Sequence, residues 1–211
     1  ADHGGLIYQP LIGLHGNVAQ IDFSSMYPAI MVKHNISPET VGLENAPEGL
    51  IPKTLRPLLE KRLMLKNILS DLDPRDCRVE ILKARAVALK WLLVVCFGYL
   101  GYKNARFGKI ESHEAVTAMS RELMLQAKEI AEDMGFTILH MYVDSLFVQR
   151  DGTREKQDFM PLLETIHVQT KIPITLDGIY RWVCFLPSKR DKRIPVPNRY
   201  FGVFQSGEVK Y

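Results

Sequence analysis

The sequence predicts an α+β fold in which helices cover one face of a largely antiparallel sheet. Three observations carry that prediction. The runs Thr137–Tyr142 and Ser145–Gln149 are rich in β-branched, aromatic and apolar residues and are separated by Val143-Asp144 alone, the signature of a hairpin. Val116, Met119, Leu123, Ala127 and Ile130 fall on one side of a helix from about Ser112 to Met134, with Gly135 as its stop. That stripe needs a sheet to cover. Residues 54–70 and 76–97 predict two further helices, antiparallel and joined by a tight turn through Asp71-Leu72-Asp73-Pro74.

The remaining elements follow in chain order. Residues 6–23 read as two short strands around Gly13–Asn17, the second carrying buried Val18, Ala19 and Ile21 and ending on Asp22. Tyr27–His34 reads as a short helix with Pro28 near its start and Ser24 or Ser25 as the N-cap hydroxyl. Residues 40–53, punctuated by Gly42, Pro47, Gly49 and Pro52, form a connecting loop, after which Thr54 caps the next helix. Beyond the hairpin, Arg154–Val168 is an amphipathic helix and Ile174–Phe185 is mixed strand.

Bulk properties set wide bounds. A chain of 211 residues with 46% hydrophobic content builds one large domain or two small ones. The net charge of +3 identifies no partner by itself, but residues 52–106 hold 12 Lys or Arg against 5 Asp or Glu. That segment either faces phosphates or is a solvated helix pair with ordinary surface lysines. Cys77, Cys96 and Cys184 are odd in number and widely spaced, which points away from a disulfide framework or zinc site and toward a reducing, cytoplasmic compartment. His15, His34, His113, His140 and His167 have no metal-ligand spacing, and the longest apolar run, Trp91–Phe97, is far too short for a bilayer, so no membrane partner is expected.

The chemistry concentrates in Asp22-Phe23-Ser24-Ser25-Met26-Tyr27-Pro28. A carboxylate closes an apolar strand, helix N–H groups suited to phosphate follow, and a Tyr-Pro corner comes next. This is an arrangement for holding a metal ion beside a sugar-sized pocket; the same residues also describe an Asp that merely caps a helix. Extending the segment brings in Ala29-Ile30-Met31 and His34-Asn35-Ile36-Ser37-Pro38-Glu39-Thr40, and the whole resembles the first polymerase motif of family B DNA polymerases of archaeal type. Leu89-Lys90 through Phe97-Gly98-Tyr99-Leu100-Gly101-Tyr102 resembles the second motif, and Tyr142-Val143-Asp144-Ser145-Leu146-Phe147 the third. His3-Gly4-Gly5 is similar to the Tyr-Gly-Gly entry to the polymerase region. Asn198-Arg199-Tyr200-Phe201-Gly202 is similar to the Lys-Lys-x-Tyr segment before the thumb.

The resemblance implies an antiparallel-sheet palm with packed helices and a two-helix antiparallel fingers subdomain. Residues 1–50 would be the first part of the palm, 51–105 the fingers, and 106–211 the second part of the palm with the approach to the thumb. It implies transfer of deoxynucleotides to a primer 3′ end with two Mg²⁺ ions, which accept hard oxygen ligands. Asp22 and Asp144 would be the catalytic carboxylates, with the Phe23 carbonyl as a third metal ligand. Ser24, Ser25, Met26, Tyr27, Arg62, Lys66, Lys90 and Val94 would bind the nucleotide, with Tyr27 as a steric gate against a ribose 2′-OH. Gly98, Tyr99, Arg199 and Tyr200 would touch DNA. Lys83, seven residues before Lys90, joins the cation set from periodicity alone, and a surface ion-pair role describes it better. The implied partners are primer-template DNA, deoxynucleoside triphosphates, and a thumb and exonuclease in further domains or a second subunit.

Two departures bear on function. Val94 and Phe97 stand where the family has Asn and Tyr, and the third motif keeps one aspartate where the family has Tyr-x-Asp-Thr-Asp-Ser. If Tyr142 sets the register, Leu146 replaces the metal ligand. If Asp144-Ser145-Leu146-Phe147 sets it, two residues are deleted at the turn and Asp144 is the metal ligand. The second register continues the family strand without mismatch and asks only that a hairpin turn shorten. A disrupted third motif is similar to a divergent archaeal branch, and it keeps a second function class open: a DNA-binding scaffold derived from a polymerase.

Overall fold

The computed structural model describes residues 3–73 and 75–211, so Pro74, the end of the predicted inter-helix turn, lies outside the described residues. The chain divides into two compact units, one built on Ser24–Met119 and the other on Gly5–Phe23 with Ser120–Tyr211.

The second unit holds a seven-stranded, wholly antiparallel sheet in the order β1-β3-β4-β2-β5-β6-β7. Its strands are β1 (Ile7–Tyr8), β2 (Gly13–Phe23), β3 (Thr137–Tyr142), β4 (Ser145–Gln149), β5 (Ile174–Pro187), β6 (Pro195–Phe204) and β7 (Val209–Lys210). The β3–β4 hairpin has its predicted bounds, and both strands are buried through their middles, with Ile138, Leu139, Met141, Leu146, Phe147 and Val148 in the core. On one side Phe147, Tyr180, Phe185 and Phe204 join Val18 in an aromatic layer, with the Phe147 and Phe185 rings edge-on at 5.5 Å. Each such ring contributes about 1.5–3 kcal/mol by leaving water. Helix α5 (Lys156–Thr170) packs on β5 and buries Phe159, Leu162 and Ile166.

Two expectations for the sheet are corrected. Residues 13–17 are not a turn between strands: β2 runs unbroken from Gly13, because β5 is fourteen residues long and pairs with Gly13–Gly16 through Phe185–Trp182. Asn17 fits into the strand as a single left-handed residue at φ 52°. Strand β6 escaped prediction because Pro195 and Pro197 argue against a strand with neighbours on both sides. Those prolines sit at its first residues, and Val203, Gly202, Phe201 and Tyr200 carry the pairing to β5.

The first unit is helical. It comprises α1 (Met26–Lys33), α2 (Leu50–Asp71), α3 (Val79–Leu100) and the opening turns of α4 (Ile110–Asp133), whose later turns belong to the other unit. Helices α2 and α3 form the expected hairpin, bringing Leu55, Leu59 and Leu65 of one and Leu89 and Leu93 of the other into the buried interior. Gly135, at φ 79°, ends the last turn after α4 as predicted.

Helix α2 begins at Leu50 and not at Thr54, whose hydroxyl instead donates back to the Leu50 carbonyl. The reason is a cap supplied from a distance. Asn35 Oδ1 accepts the Gly49 N–H (2.8 Å), a Glu39 carboxylate oxygen accepts the Leu50 N–H, and Ser37 Oγ accepts the Ile51 N–H (3.2 Å). Three orphan donors of the first turn are thereby satisfied by the loop after α1. Desolvation pushes the Glu39 carboxyl upward, but the Leu50 N–H and Ser37 hydroxyl together outweigh it and hold that carboxyl below its ordinary range. Gly49 is required here, since a Cβ would meet Ser37 Cβ at 2.5 Å.

Candidate functional site

The carboxylates are placed by the backbone of the sheet. Asp22 is the penultimate residue of β2 and lies opposite Ser145 of β4, whose hydroxyl donates to Asp22 Oδ1 at 2.8 Å. The Phe23 N–H donates to the Asp144 carbonyl at 2.9 Å. Asp144 sits in the two-residue turn between β3 and β4, one residue before β4 itself, so both aspartates mark the same end of the β2–β4 pair. Val143, the other turn residue, is held at φ 58°, which is strained for a β-branched side chain. Leu146 is fully buried opposite Ile21 and Met141.

Two carboxylates with a backbone carbonyl between hard-oxygen partners form a donor set of the kind Mg²⁺ accepts, and the residues fit such an ion in chemical type. Among the described residues, no three His, Cys, Asp or Glu side chains gather as a metal cluster.

The cations are placed by side chains of the helical unit. Ser25 precedes α1 at φ 55°, in the left-handed region, and makes no side-chain cap hydrogen bond; this corrects the expected serine cap, because capping calls for an extended backbone there. Its Oγ instead accepts a hydrogen bond from Arg62 Nη1 at 3.0 Å, and Ser24 Oγ accepts one from Lys66 Nζ at 2.8 Å. Arg62 and Lys66 thus reach neighbouring hydroxyls from one face of α2, as their four-residue spacing requires. Met26 is buried in the core.

The Tyr27 ring lies 4.3 Å from that of Phe97, which stacks at the same distance on His113. Phe97 fixes the face on which the α3 cations stand. Lys90 and Lys83 are one and two heptads before it, roughly 10 and 20 Å up the same side at 1.5 Å per residue. Both are exposed, as is Val94. Gly98 has open space at its Cα, and Tyr99 Oη accepts the Arg106 N–H at 3.0 Å.

The other two candidates lie on β6. The Tyr200 ring packs 5.2 Å from Phe147 and 5.6 Å from Phe185, and burial pushes its phenol above the ordinary range. Arg199 Nη1 approaches the Pro187 carbonyl at 3.5 Å. Sequence reasoning passed over Ser145, which orients Asp22, and the Asn35, Ser37 and Glu39 cap that fixes the start of α2. The former had a signal in its place beside Asp144; the latter had none, because its partners are 11 to 14 residues away.

The model for "DNA polymerase family B" matches residues 1–47 and 43–159. The chain is 38% identical over 210 residues to DNA polymerase 2 of Saccharolobus solfataricus, covering 94% of this chain and 30% of that protein. It is 36% identical to the DNA polymerase of Archaeoglobus fulgidus, over 89% of this chain and 26% of the relative. The solved structure of the family B DNA polymerase from the hyperthermophilic archaeon Pyrobaculum calidifontis matches with a TM-score of 0.74 and 31% identity, over 99% of this chain and 28% of that one. This chain belongs to family B of the DNA polymerases. It spans about 30% or less of the length of the relatives it matches. Among the described residues, no helix is long and apolar enough to cross a membrane.

Proposed function

We propose that the chain is the palm and fingers of a DNA-directed DNA polymerase that adds deoxynucleotides to a primer 3′ end. The palm would comprise residues 1–50 and 106–211 and the fingers residues 51–105. The observation that carries the reading is the placement of Asp22 and Asp144 at one end of the β2–β4 pair, with Ser145 donating to Asp22. In this reading the primer 3′ oxygen attacks the α-phosphorus, the bond to the bridging oxygen breaks, and pyrophosphate leaves. Divalent cations, when bound, neutralise charge on the attacking and leaving oxygens. The Asp22 and Asp144 carboxylates and the Phe23 carbonyl would hold them. Arg62, Lys66 and Lys90 neutralise the triphosphate; the N–H groups at the start of α1, from Ser24 to Tyr27, orient it. The Tyr27 ring, fixed on Phe97, excludes a 2′-OH.

Leu146 supports Asp144 as the metal ligand. It is buried between Ile21 and Met141, an apolar place for an apolar residue, which fits the register with two residues deleted. Gly98, Tyr99 and Arg199 touch the DNA backbone, with affinity that falls as salt rises. Tyr200 supports Arg199 by holding β6 on Phe147 and Phe185.

A second reading rests on the single aspartate of the turn and on Val94: a polymerase-derived scaffold that holds primer-template DNA without extending it. Primer extension by the full-length protein separates the two. Extension that needs Mg²⁺ or Mn²⁺ and is lost in Asp22→Asn supports the polymerase; tight primer-template binding with no extension under either metal supports the scaffold.

A further inference from the structure

We infer that Ser24 and Ser25 are the resting acceptors of the clamp cations Arg62 and Lys66, and that their hydroxyls set how tightly the protein holds a nucleotide's phosphates. The inference rests on the reading of those two cations as a phosphate clamp. Two positive side chains four residues apart on a helix repel each other. Both are half-buried, so each gains from an acceptor, and a serine hydroxyl serves each: Ser25 Oγ for Arg62 at 3.0 Å and Ser24 Oγ for Lys66 at 2.8 Å.

The serines are shaped for this task by an independent feature. A serine that precedes a helix ordinarily turns its hydroxyl onto an N–H of the first turn. Ser25 does not, because its backbone is left-handed, and Ser24 is 1% exposed, so its hydroxyl is a fixed acceptor inside the protein. Both hydroxyls accept from the cations.

A hydroxyl oxygen is neutral, and a phosphate oxygen is charged and accepts more strongly, so exchange runs toward the nucleotide. The exchange is not free of cost. Each serine bond given up is subtracted from the gain, and the apparent dissociation constant is the intrinsic one divided by the fraction of cations standing off the serines. Removing the hydroxyls therefore tightens phosphate binding. Damage to packing would do the opposite.

The test is calorimetric titration of the full-length protein with pyrophosphate at fixed salt, comparing wild type, Ser24→Ala/Ser25→Gly and Lys66→Ala. Glycine suits the φ of 55° at position 25, so the double variant keeps its backbone. The expected result is binding about tenfold tighter in the serine variant and weaker in Lys66→Ala, from the usual size of a hydrogen bond to a charged group. The KM for deoxynucleotide in primer extension should fall in parallel. Should the double variant lose stability, the single variant Ser25→Gly should still bind more tightly than wild type. Unchanged or weaker binding in the serine variants, with Lys66→Ala still impaired, overturns the inference and leaves the clamp standing. Wild-type affinity in Lys66→Ala and in Arg62→Gln overturns the clamp, and this inference with it.

Discussion

The carboxylate end of the sheet and the cation face of α2 position their groups by different means. Asp22 and Asp144 are one bond removed from ladder hydrogen bonds, so strand register fixes where their short side chains begin. Arg62 and Lys66 stand on long side chains whose tips are held by neutral hydroxyls. The first arrangement suits ligands that must meet a small ion at about 2.1 Å. The second suits groups that must be re-aimed when a flexible, highly charged substrate arrives. Precision resides in the backbone of one unit and adaptability in the side chains of the other.

The strongest way to break this contrast is Asp144→Asn in the full-length protein. The change keeps size and turn geometry while removing a charge, and extension should fall by about 100-fold or more, beyond the 10–100-fold typical of losing a group that only supports a ligand. Extension within about threefold of wild type would return the metal site to the other register. Arg62→Lys is the matching change on the helix. A point charge cannot reproduce two-pronged guanidinium geometry, so the KM for nucleotide should rise about tenfold with a smaller change in kcat. An equal fall in kcat alone would place Arg62 in the fixed class with the carboxylates.

Stability experiments sharpen the same comparison with smaller effects. Gly49→Ala drives a Cβ into Ser37, so α2 should lose its cap and the protein about 1–3 kcal/mol, read as a lower melting temperature. His140 supplies the counterpart in the sheet. It is wholly buried among Phe147, Phe185 and Tyr142, with Nδ1 at 2.7 Å from the Tyr8 carbonyl. Burial pushes its pKa below the ordinary 6.5, the Tyr8 carbonyl opposing in part. The unfolded chain therefore binds the proton more readily. The stability from neutral His140 is complete above pH 6.5 and is lost as the pH falls from there toward the lowered folded value. Thermal melts between pH 5 and 8 should show that slope, and His140→Phe should flatten it.

Legibility in the sequence followed the range of the interactions. The β3–β4 hairpin was readable because every determinant lies within thirteen residues: two runs of apolar, β-branched and aromatic residues with a two-residue turn between them. Helices α3, α4 and α5 were readable to within about three residues at each end, since apolar periodicity marks their bodies and fraying blurs their termini. The start of α2 was not, because the groups that extend it past Thr54 come from Asn35, Ser37 and Glu39. The full length of β2 depended on β5, some 160 residues later. Of the candidate site residues, Asp22, Asp144, Arg62 and Lys66 are the ones that motif and spacing single out. The serine hydroxyls were assigned to the wrong partner because a left-handed φ at Ser25 is not written in its residue type.

The remote cap of α2 also defines what can be exchanged between related polymerases. A fingers graft cut at Leu50, where the helix begins, would carry α2 away from the three acceptors that complete its first turn. It would arrive in the host with donors facing whatever loop the host supplies. The natural cassette begins at Asn35, and Lys109 Nζ, which donates to the Pro38 carbonyl at 2.9 Å, shows that it closes beyond α3 as well. A chimera cut at Asn35 and after Lys109 moves the helices with their own fastenings, so recombination respects the hydrogen bonds and not the helix boundaries.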